Sequence, residues 1–290
     1  MTHSPFTHSL QPRSTIKTHI TQVNLDGQVR QKEDWLAVEE PLAIHLVSEP
    51  EGERKEMPVS VTMCTPGNEK ELAIGFLYTE GILLQEGDIA AIHFDEKNEL
   101  DRKVVVELLP GIQYDASKLE RHFYTSSSCG VCGKTSVYAV RNQIRRSISK
   151  DDLQVSAEIL VRLPETLRKQ QEVFEHTGGL HASALFDING HLLLVREDVG
   201  RHNALDKLIG AGLLNKTLPF DQHILVLSGR ASFELIQKAA MAGIKIICAV
   251  GAPSSLATEL AEENGITLVG FLRERKFNVY CRNERITLKS

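Results

Sequence analysis

Apolar positions follow a two-residue period through much of the first hundred residues and settle into a strand–helix alternation beyond residue 180. Between Trp35 and Val47, the run Leu42-Ala-Ile-His-Leu-Val47 after Pro41 predicts a strand, and Pro58-Val-Ser-Val-Thr-Met-Cys64 alternates like a second one. Thr65-Pro66 then opens a predicted helix near Glu69 to Tyr78, with Leu72, Phe76 and Leu77 on one face and Gly81 as its stop. Val104-Val-Val-Glu-Leu-Leu109 predicts a further strand that ends at Pro110-Gly111. Residues 1–12 are polar and expected to be a disordered tail, and residues 13–125 to form a small mixed β/α subdomain, rich in strand.

From Ser156 to Glu175 the pattern reads as helical, with Pro164 either breaking the stretch or starting a second helix at its first turn. Gly178 and Gly179 supply its carboxyl cap. Ala182–Asp187 and His191–Arg196 flank Asn189-Gly190, a strong hairpin signal. Then come a helix over 202–214, a strand over 223–228, a helix over 231–242, a strand over 244–250, a helix over 254–264 and a strand over 266–272. Such alternation suggests a parallel or mostly parallel sheet covered on both faces, and the fold class expected is α/β with a mixed sheet, its α/β domain over 137–290.

Between the two regions lies Ser126-Ser-Ser-Cys-Gly-Val-Cys-Gly-Lys134, expected to be a mobile loop over 126–136. Gly130 and Gly133 permit tight backbone conformations, and exposed N–H groups with Lys134 favour thiolate over thiol at Cys129 and Cys132. A thiol with pKa about 8.5 is only roughly 3% ionised near pH 7, and lowering it by ~2 units, worth ~2.7 kcal/mol, makes thiolate the majority form. The spacing alone leaves half a zinc site, a redox pair, a sulfur carrier or two packed small side chains open. A structural zinc requires four ligands, and no second CxxC or HxxxH is present; Cys64, Cys248 and Cys281 are scattered singly. No metal is expected.

Composition narrows the setting. At 42% hydrophobic and 24% charged, the chain fits an ordinary globular class, and its net charge of −5 argues against broad nucleic-acid coating. No apolar run spans a membrane, no secretory core opens the chain, and five cysteines in 290 residues are no disulfide scaffold, so a cytoplasmic location is expected.

In α/β sheets, ligands bind where strand carboxyl ends meet helix amino termini. Unusual residues gather at those points: Arg196–Asn203, Ser228–Ser232, Gly251–Ser255 and Gly270–Lys276 each follow a predicted strand. Ser228, Gly229, Ser254 and Ser255 can donate to an anion, and Arg201, Arg230, Arg273, Arg275 and Lys276 supply charge. For any one loop, helix caps and solvated arginines are the better explanation; four loops on one edge favour an anionic ligand. His181, His202, Glu197 and Asp198 are an alternative acid/base set. Neither GxGxxG nor GxxxxGK[ST] occurs, and a zinc deaminase lacks its H-x-E and P-C-x-x-C here, since Ser128 precedes Cys129.

Cys129-Gly-Val-Cys-Gly133, His176-Thr-Gly-Gly-Leu-His-Ala182, Glu197–Lys207, Ser228–Ser232 and Gly251–Ala257 together resemble the formate dehydrogenase accessory sulfurtransferase (FdhD) family, over about residues 35–281. The resemblance implies a cytidine-deaminase-like α/β core without the deaminase zinc, and a cytoplasmic homodimer. It implies a sulfur carrier that takes sulfur from a cysteine desulfurase as a Cys129 persulfide, with Cys132 as partner. The sulfur would pass to the Mo-bis(molybdopterin guanine dinucleotide) cofactor before that cofactor enters formate dehydrogenase. The cofactor-contacting segment maps to Phe271, Leu272, Arg273, Glu274, Arg275 and Lys276, with Glu274-Arg275 where some relatives carry Pro-Gly. Three cations there suit a diphosphate and Glu274 suits guanine; a charged hairpin turn leading into Phe277–Tyr280 is the alternative. Arg201, His202, Ser228 and Arg230 join this set from the neighbouring loops. A cofactor-binding chaperone with a structural or redox CxxC, or a dithiol oxidoreductase, are the alternatives to sulfur carriage.

Overall fold

The computed structural model describes residues 14–49, 52–95, 102–112, 114 and 153–288. The expectations for the tail at 1–12 and the cysteine loop at 126–136 lie outside the described residues.

β1 (Thr15–Val23) and β2 (Val29–Ala37) form a two-stranded antiparallel ribbon turning at Asp26-Gly27. The hydrophobic pattern does not predict it, because nearly every side chain faces solvent on both sides and no alternation survives. β3 (Glu40–Ser48), β4 (Lys55–Cys64), β5 (Ile89–Asp95) and β6 (Lys103–Leu108) make a four-stranded sheet in the order β4-β3-β6-β5. Its inner face is the alternate set Leu42, Ile44, Leu46, Val104, Val106 and Leu108, all buried. Pro41 lies inside β3 rather than before it, and β4 begins three residues ahead of Pro58.

α1 (Glu69–Thr79) lies between this sheet and α5 (Arg201–Leu214). Sequence predicts one apolar face for α1; the structure buries Leu72, Ala73, Ile74, Gly75, Leu77 and Tyr78, because sheet covers one side and helix the other. The two helices cross backbone to backbone. A Cβ on Gly75 would stand 1.8 Å from the Asp206 carbonyl oxygen, and one on Gly210 would stand 1.9 Å from that of Glu71. Only glycine fits at either position.

The second sheet has the order β13-β12-β11-β10-β8-β9. Its strands are β8 (His181–Asp187), β9 (Leu192–Asp198), β10 (His223–Leu227), β11 (Ile246–Ala249), β12 (Thr267–Arg273) and β13 (Lys276–Cys281). The sheet is mixed, as the fold class expects, and less parallel than the strand–helix alternation alone suggests. Only β10-β11 and β11-β12 pair in parallel, and two hairpins, β8-β9 and β12-β13, add antiparallel flanks. The first hairpin turns around Asn189-Gly190 as expected, with Asp187 Oδ1 accepting from the Asn189 and His191 N–H groups at 2.9 and 2.8 Å.

α5, α6 (Phe233–Met241) and α7 (Ser255–Glu263) cover one face. The stretch expected to be helical over 156–175 is three short helices instead: α2 (Ala157–Leu160), α3 (Leu163–Arg168), with Pro164 in its first turn, and α4 (Glu172–Thr177). Leu160, Leu163 and Leu167 pack on the opposite face against Phe186, Val195, Ile224 and Val226. There β7 (Val155–Ser156) pairs with β14 (Ile286–Thr287).

One continuous core runs from Leu42 and Val104 through α1 and α5 to Leu225 and Leu268. The boundary drawn near 125 therefore separates two sheets, not two cores. Inside it, Lys238 Nζ donates to both Asp206 oxygens at 3.0 and 2.8 Å and to Thr79 Oγ at 2.9 Å, tying α1, α5 and α6 with charges that are nearly inaccessible to water.

The helix crossing makes a specific prediction. Gly210→Ala forces backbone apart at a packed contact and is expected to cost about 3 kcal/mol or more in chemical denaturation. Gly27→Ala, in the open ribbon turn at φ 83°, is expected to cost about 1–2 kcal/mol. Equal effects for the two would contradict the crossing.

Candidate functional site

β9, β10, β11 and β12 run in one direction, so their carboxyl ends share an edge with His181, the first residue of β8. The four loops singled out from sequence meet along this edge. Backbone bonds knit three of them: Gly251 N donates to Gly229 O at 2.9 Å, Ser254 N to Ala231 O at 3.0 Å and Phe271 N to Gly251 O at 3.1 Å. α5, α6 and α7 all begin here, with their amino termini toward the edge.

A buried carboxylate fixes the first of these helix starts. Asp198, wholly inaccessible, accepts from Gly200 N at 2.8 Å and Asn203 Nδ2 at 3.1 Å through Oδ1. Its Oδ2 accepts from Thr65 N at 3.1 Å and pairs with Lys207 Nζ at 2.7 Å. Lys207 also donates to Thr65 O at 2.8 Å, and Val199 N donates to Thr65 Oγ1 at 3.1 Å. The turn that presents Arg201 and His202 is thus held from beneath by the segment leading into α1.

Arg201 and Arg230 make no hydrogen bond or ion pair among the described residues, and Arg201 Nε is shielded from solvent without a partner. A guanidinium nitrogen shielded from solvent and left unmatched retains unused hydrogen-bonding capacity. His202 Nε2 lies 3.0 Å from Glu234 Oε2 and 3.4 Å from Ser232 Oγ. Both contacts use the same nitrogen, so Ser232, His202 and Glu234 are no nucleophile–base–orienter relay, which needs one partner on each ring nitrogen. His181 is half-buried; burial pushes its imidazole below the ordinary histidine range, and the Arg201, His202 and Arg230 charges push the same way.

The expected acid/base set is divided. Asp198 is committed to its turn, and Glu197 caps α4, accepting from Val173 N at 3.3 Å and Phe174 N at 3.2 Å. Ser228 Oγ accepts from Ala182 N at 2.8 Å, which makes it scaffold for β8. Beyond Gly270 the strand continues through Arg273, which pairs with Lys276 across a two-residue turn, Glu274-Arg275. Of the six residues expected to contact cofactor there, Leu272 is buried in the core, while Arg273, Glu274, Arg275 and Lys276 are exposed around the hairpin turn. Phe271 is different. It is 40% exposed in the left-handed region at φ 52°, beside a register shift between Gly270 and Arg273.

Cys129 and Cys132 lie outside the described residues. The three described cysteines are buried: the Cys64 thiol is pushed up to about 12 by burial, Cys248 and Cys281 are pushed up by the same cause, and Cys281 Sγ donates to Thr258 O at 3.3 Å. None of the three is a thiolate nucleophile.

Residues 37–287 match the FdhD/NarQ family. A Sulfur carrier protein FdhD of Streptomyces coelicolor is 48% identical over 271 residues, 91% of this chain and 93% of that one. One from Mycolicibacterium paratuberculosis is 48% identical over 278 residues, covering 93% and 96%. The chain belongs to the FdhD/NarQ family. The fold agrees: a crystal structure assigned to a formate dehydrogenase accessory protein of Desulfotalea psychrophila superposes with a TM-score of 0.69 at 23% identity, covering 94% of this chain and 99% of that one.

In this FdhD/NarQ member, sequence reasoning missed Thr65, Glu234 and the conformation of Phe271. Thr65-Pro66 reads only as a helix start, Glu234 only as a first-turn acid, and a left-handed aromatic has no local signature. The last is measurable. A left-handed residue with a Cβ costs about 1–2 kcal/mol, so Phe271→Gly is expected to be more stable than Phe271→Ala by about 1 kcal/mol in thermal denaturation. A more stable alanine variant would mean that Phe271 is not held in this conformation.

Proposed function

We propose that the chain is a sulfur carrier for formate dehydrogenase maturation. In this reading the Cys129 thiolate attacks the terminal sulfur of a cysteine desulfurase persulfide. The new bond joins Cys129 Sγ to that sulfur, the donor's S–S bond breaks, and the donor leaves as thiolate. The sulfur is then delivered to the Mo-bis(molybdopterin guanine dinucleotide) cofactor, the cargo, before it enters formate dehydrogenase. Cys132 either receives the sulfur in turn or attacks Cys129 Sγ, forming the 129–132 disulfide and releasing hydrosulfide. A homodimer is part of the same proposal.

The sulfur half rests on the relatives' designation as sulfur carriers and on elimination, since the described thiols are buried and protonated. The cofactor half rests on one observation: Arg201 and Arg230 stand uncommitted at the carboxyl edge, with Arg201 Nε shielded and unmatched. The diphosphate of a guanine dinucleotide suits these two guanidinium groups, with helix amino termini adding N–H donors. Phe271, whose N–H bonds to Gly251 next to Arg230, supplies an exposed aromatic face on the same edge for the base. Arg273, Arg275 and Lys276 add charge from the hairpin turn.

Two measurements test the halves separately. Intact-mass spectrometry after incubation with a cysteine desulfurase and cysteine is expected to show the gain of a sulfur atom on wild type and none on Cys129→Ala, which should fold normally. Equal persulfidation of the variant would remove Cys129 from the role. Titration with GDP is expected to be weakened roughly tenfold or more by Arg201→Ala or Arg230→Ala, a charge-assisted contact being worth about 1.5–3 kcal/mol. Equal affinities for wild type and both variants would place the nucleotide elsewhere.

A further inference from the structure

His181 occupies a position that the sulfur chemistry does not use. It opens β8 at the middle of the edge, paired in register with Asp198 of β9 and facing the loop after β10. A Cβ on Gly229 would stand 3.3 Å from His181 Nδ1, so the glycine leaves the ring uncrowded by a side chain from the loop after β10. The imidazole makes no hydrogen bond among the described residues. The charged groups that face it are Arg201 and His202 from α5, Arg230 after β10, and Asp198 from β9. Asp198 is already shared among Thr65, Gly200, Asn203 and Lys207, and Glu234 of α6 is engaged with His202. His181 is therefore a histidine among cations whose neighbouring carboxylates are committed elsewhere.

We propose that His181 is a ligand-dependent cation: it is mostly neutral in the empty site, and binding of a phosphate-bearing anion to Arg201 and Arg230 shifts it toward the protonated form by proton uptake from solvent. The inference rests on the edge being the anion site. Its physics is reciprocal. An anion placed among Arg201, Arg230 and His202 cancels their repulsion of a protonated ring and adds attraction, and a proton on the ring must then strengthen the anion's binding by the same factor. The low position of the free imidazole, caused by burial and then by those cations, agrees with this. The consequence is selectivity by charge: a ligand with two or more negative charges gains a further cation beside Arg201 and Arg230, whereas a neutral or singly charged one gains little.

Calorimetric titration of the full-length protein with GDP, near pH 7 in buffers of different ionisation enthalpy, counts the protons exchanged on binding. Because GDP titrates as well, the informative quantity is wild type minus His181→Gln. Wild type is expected to take up several tenths of a proton more than the variant, and its affinity to rise about three- to tenfold more steeply than the variant's as pH falls from about 8 to about 6. Histidine ring NMR on the wild type gives the same answer without substitution: the His181 titration should move upward when GDP is bound. Binding with identical proton counts and an unmoved His181 titration overturns this inference alone. No binding of GDP to wild type overturns the site reading and this inference with it.

Discussion

The close crossing of α1 and α5 is the constraint on which the rest of the molecule depends. Two glycines, Gly75 and Gly210, let the backbones touch, and the contact brings the four-stranded sheet against the helical face of the six-stranded one. That approach carries Thr65, a few residues before α1, over the end of β9. There its N–H and carbonyl complete the shell of Asp198 and Lys207. The start of α5, and with it Arg201 and His202, is therefore placed by a contact two to three turns further along the same helix. A methyl group at Gly210 would strain the packing first and the site second.

Buried and edge charges follow opposite rules here. Asp198–Lys207 and Asp206–Lys238 are removed from water, and each oxygen has donors. An incomplete shell around such a pair costs several kcal/mol, which is why these pairs recruit backbone and hydroxyl partners as well as each other. Arg201 and Arg230 have no such shell. Their charges stand near two histidines at the carboxyl edge of the sheet, where α5, α6 and α7 begin. The fold spends its carboxylates on holding the scaffold, and the edge is left with a positive excess. A chain with net charge −5 can thus offer an anion a local positive field.

Much of this was legible in the sequence. The alternation beyond residue 200 predicts α5, β10, α6, β11, α7 and β12 to within about two residues, because the apolar runs there are long and each is bounded by Gly, Pro or a capping Ser. The same punctuation marks the strand-end loops, and their meeting on one edge follows from parallel strand direction. Less was legible where the signal depends on what packs outside an element. The β1-β2 ribbon has no buried face, so it shows no period. β5 is short and half-exposed, and reads as neither strand nor loop. The stretch over 156–175 is broken into three by tertiary packing on the second face, which periodicity alone does not register. Ser228 illustrates the limit for a site: its hydroxyl looks like a ligand donor in sequence, but Ala182 N claims it.

The hairpin at 273–276 shows why a charged run is an ambiguous signal. Arg-Glu-Arg-Lys after an apolar strand reads equally well as an anion contact and as a solvated turn, and the structure contains the turn. The residue the charge pattern does not single out is Phe271, whose left-handed backbone interrupts the pleat. Regular alternation would aim residues 270 and 272 to one face and 271 to the other. The register shift instead buries Leu272 on the same face as Val269 and leaves the Phe271 ring at the edge. The irregularity costs about as much as one good hydrogen bond contributes. What it leaves is an exposed aromatic on β12, bonded through its backbone to Gly251, which packs against Arg230. A nucleotide needs both a positive place for phosphate and a flat apolar place for its base. The proposed nucleotide site would draw these from an irregular strand and strand-end loops rather than from a glycine-rich phosphate loop.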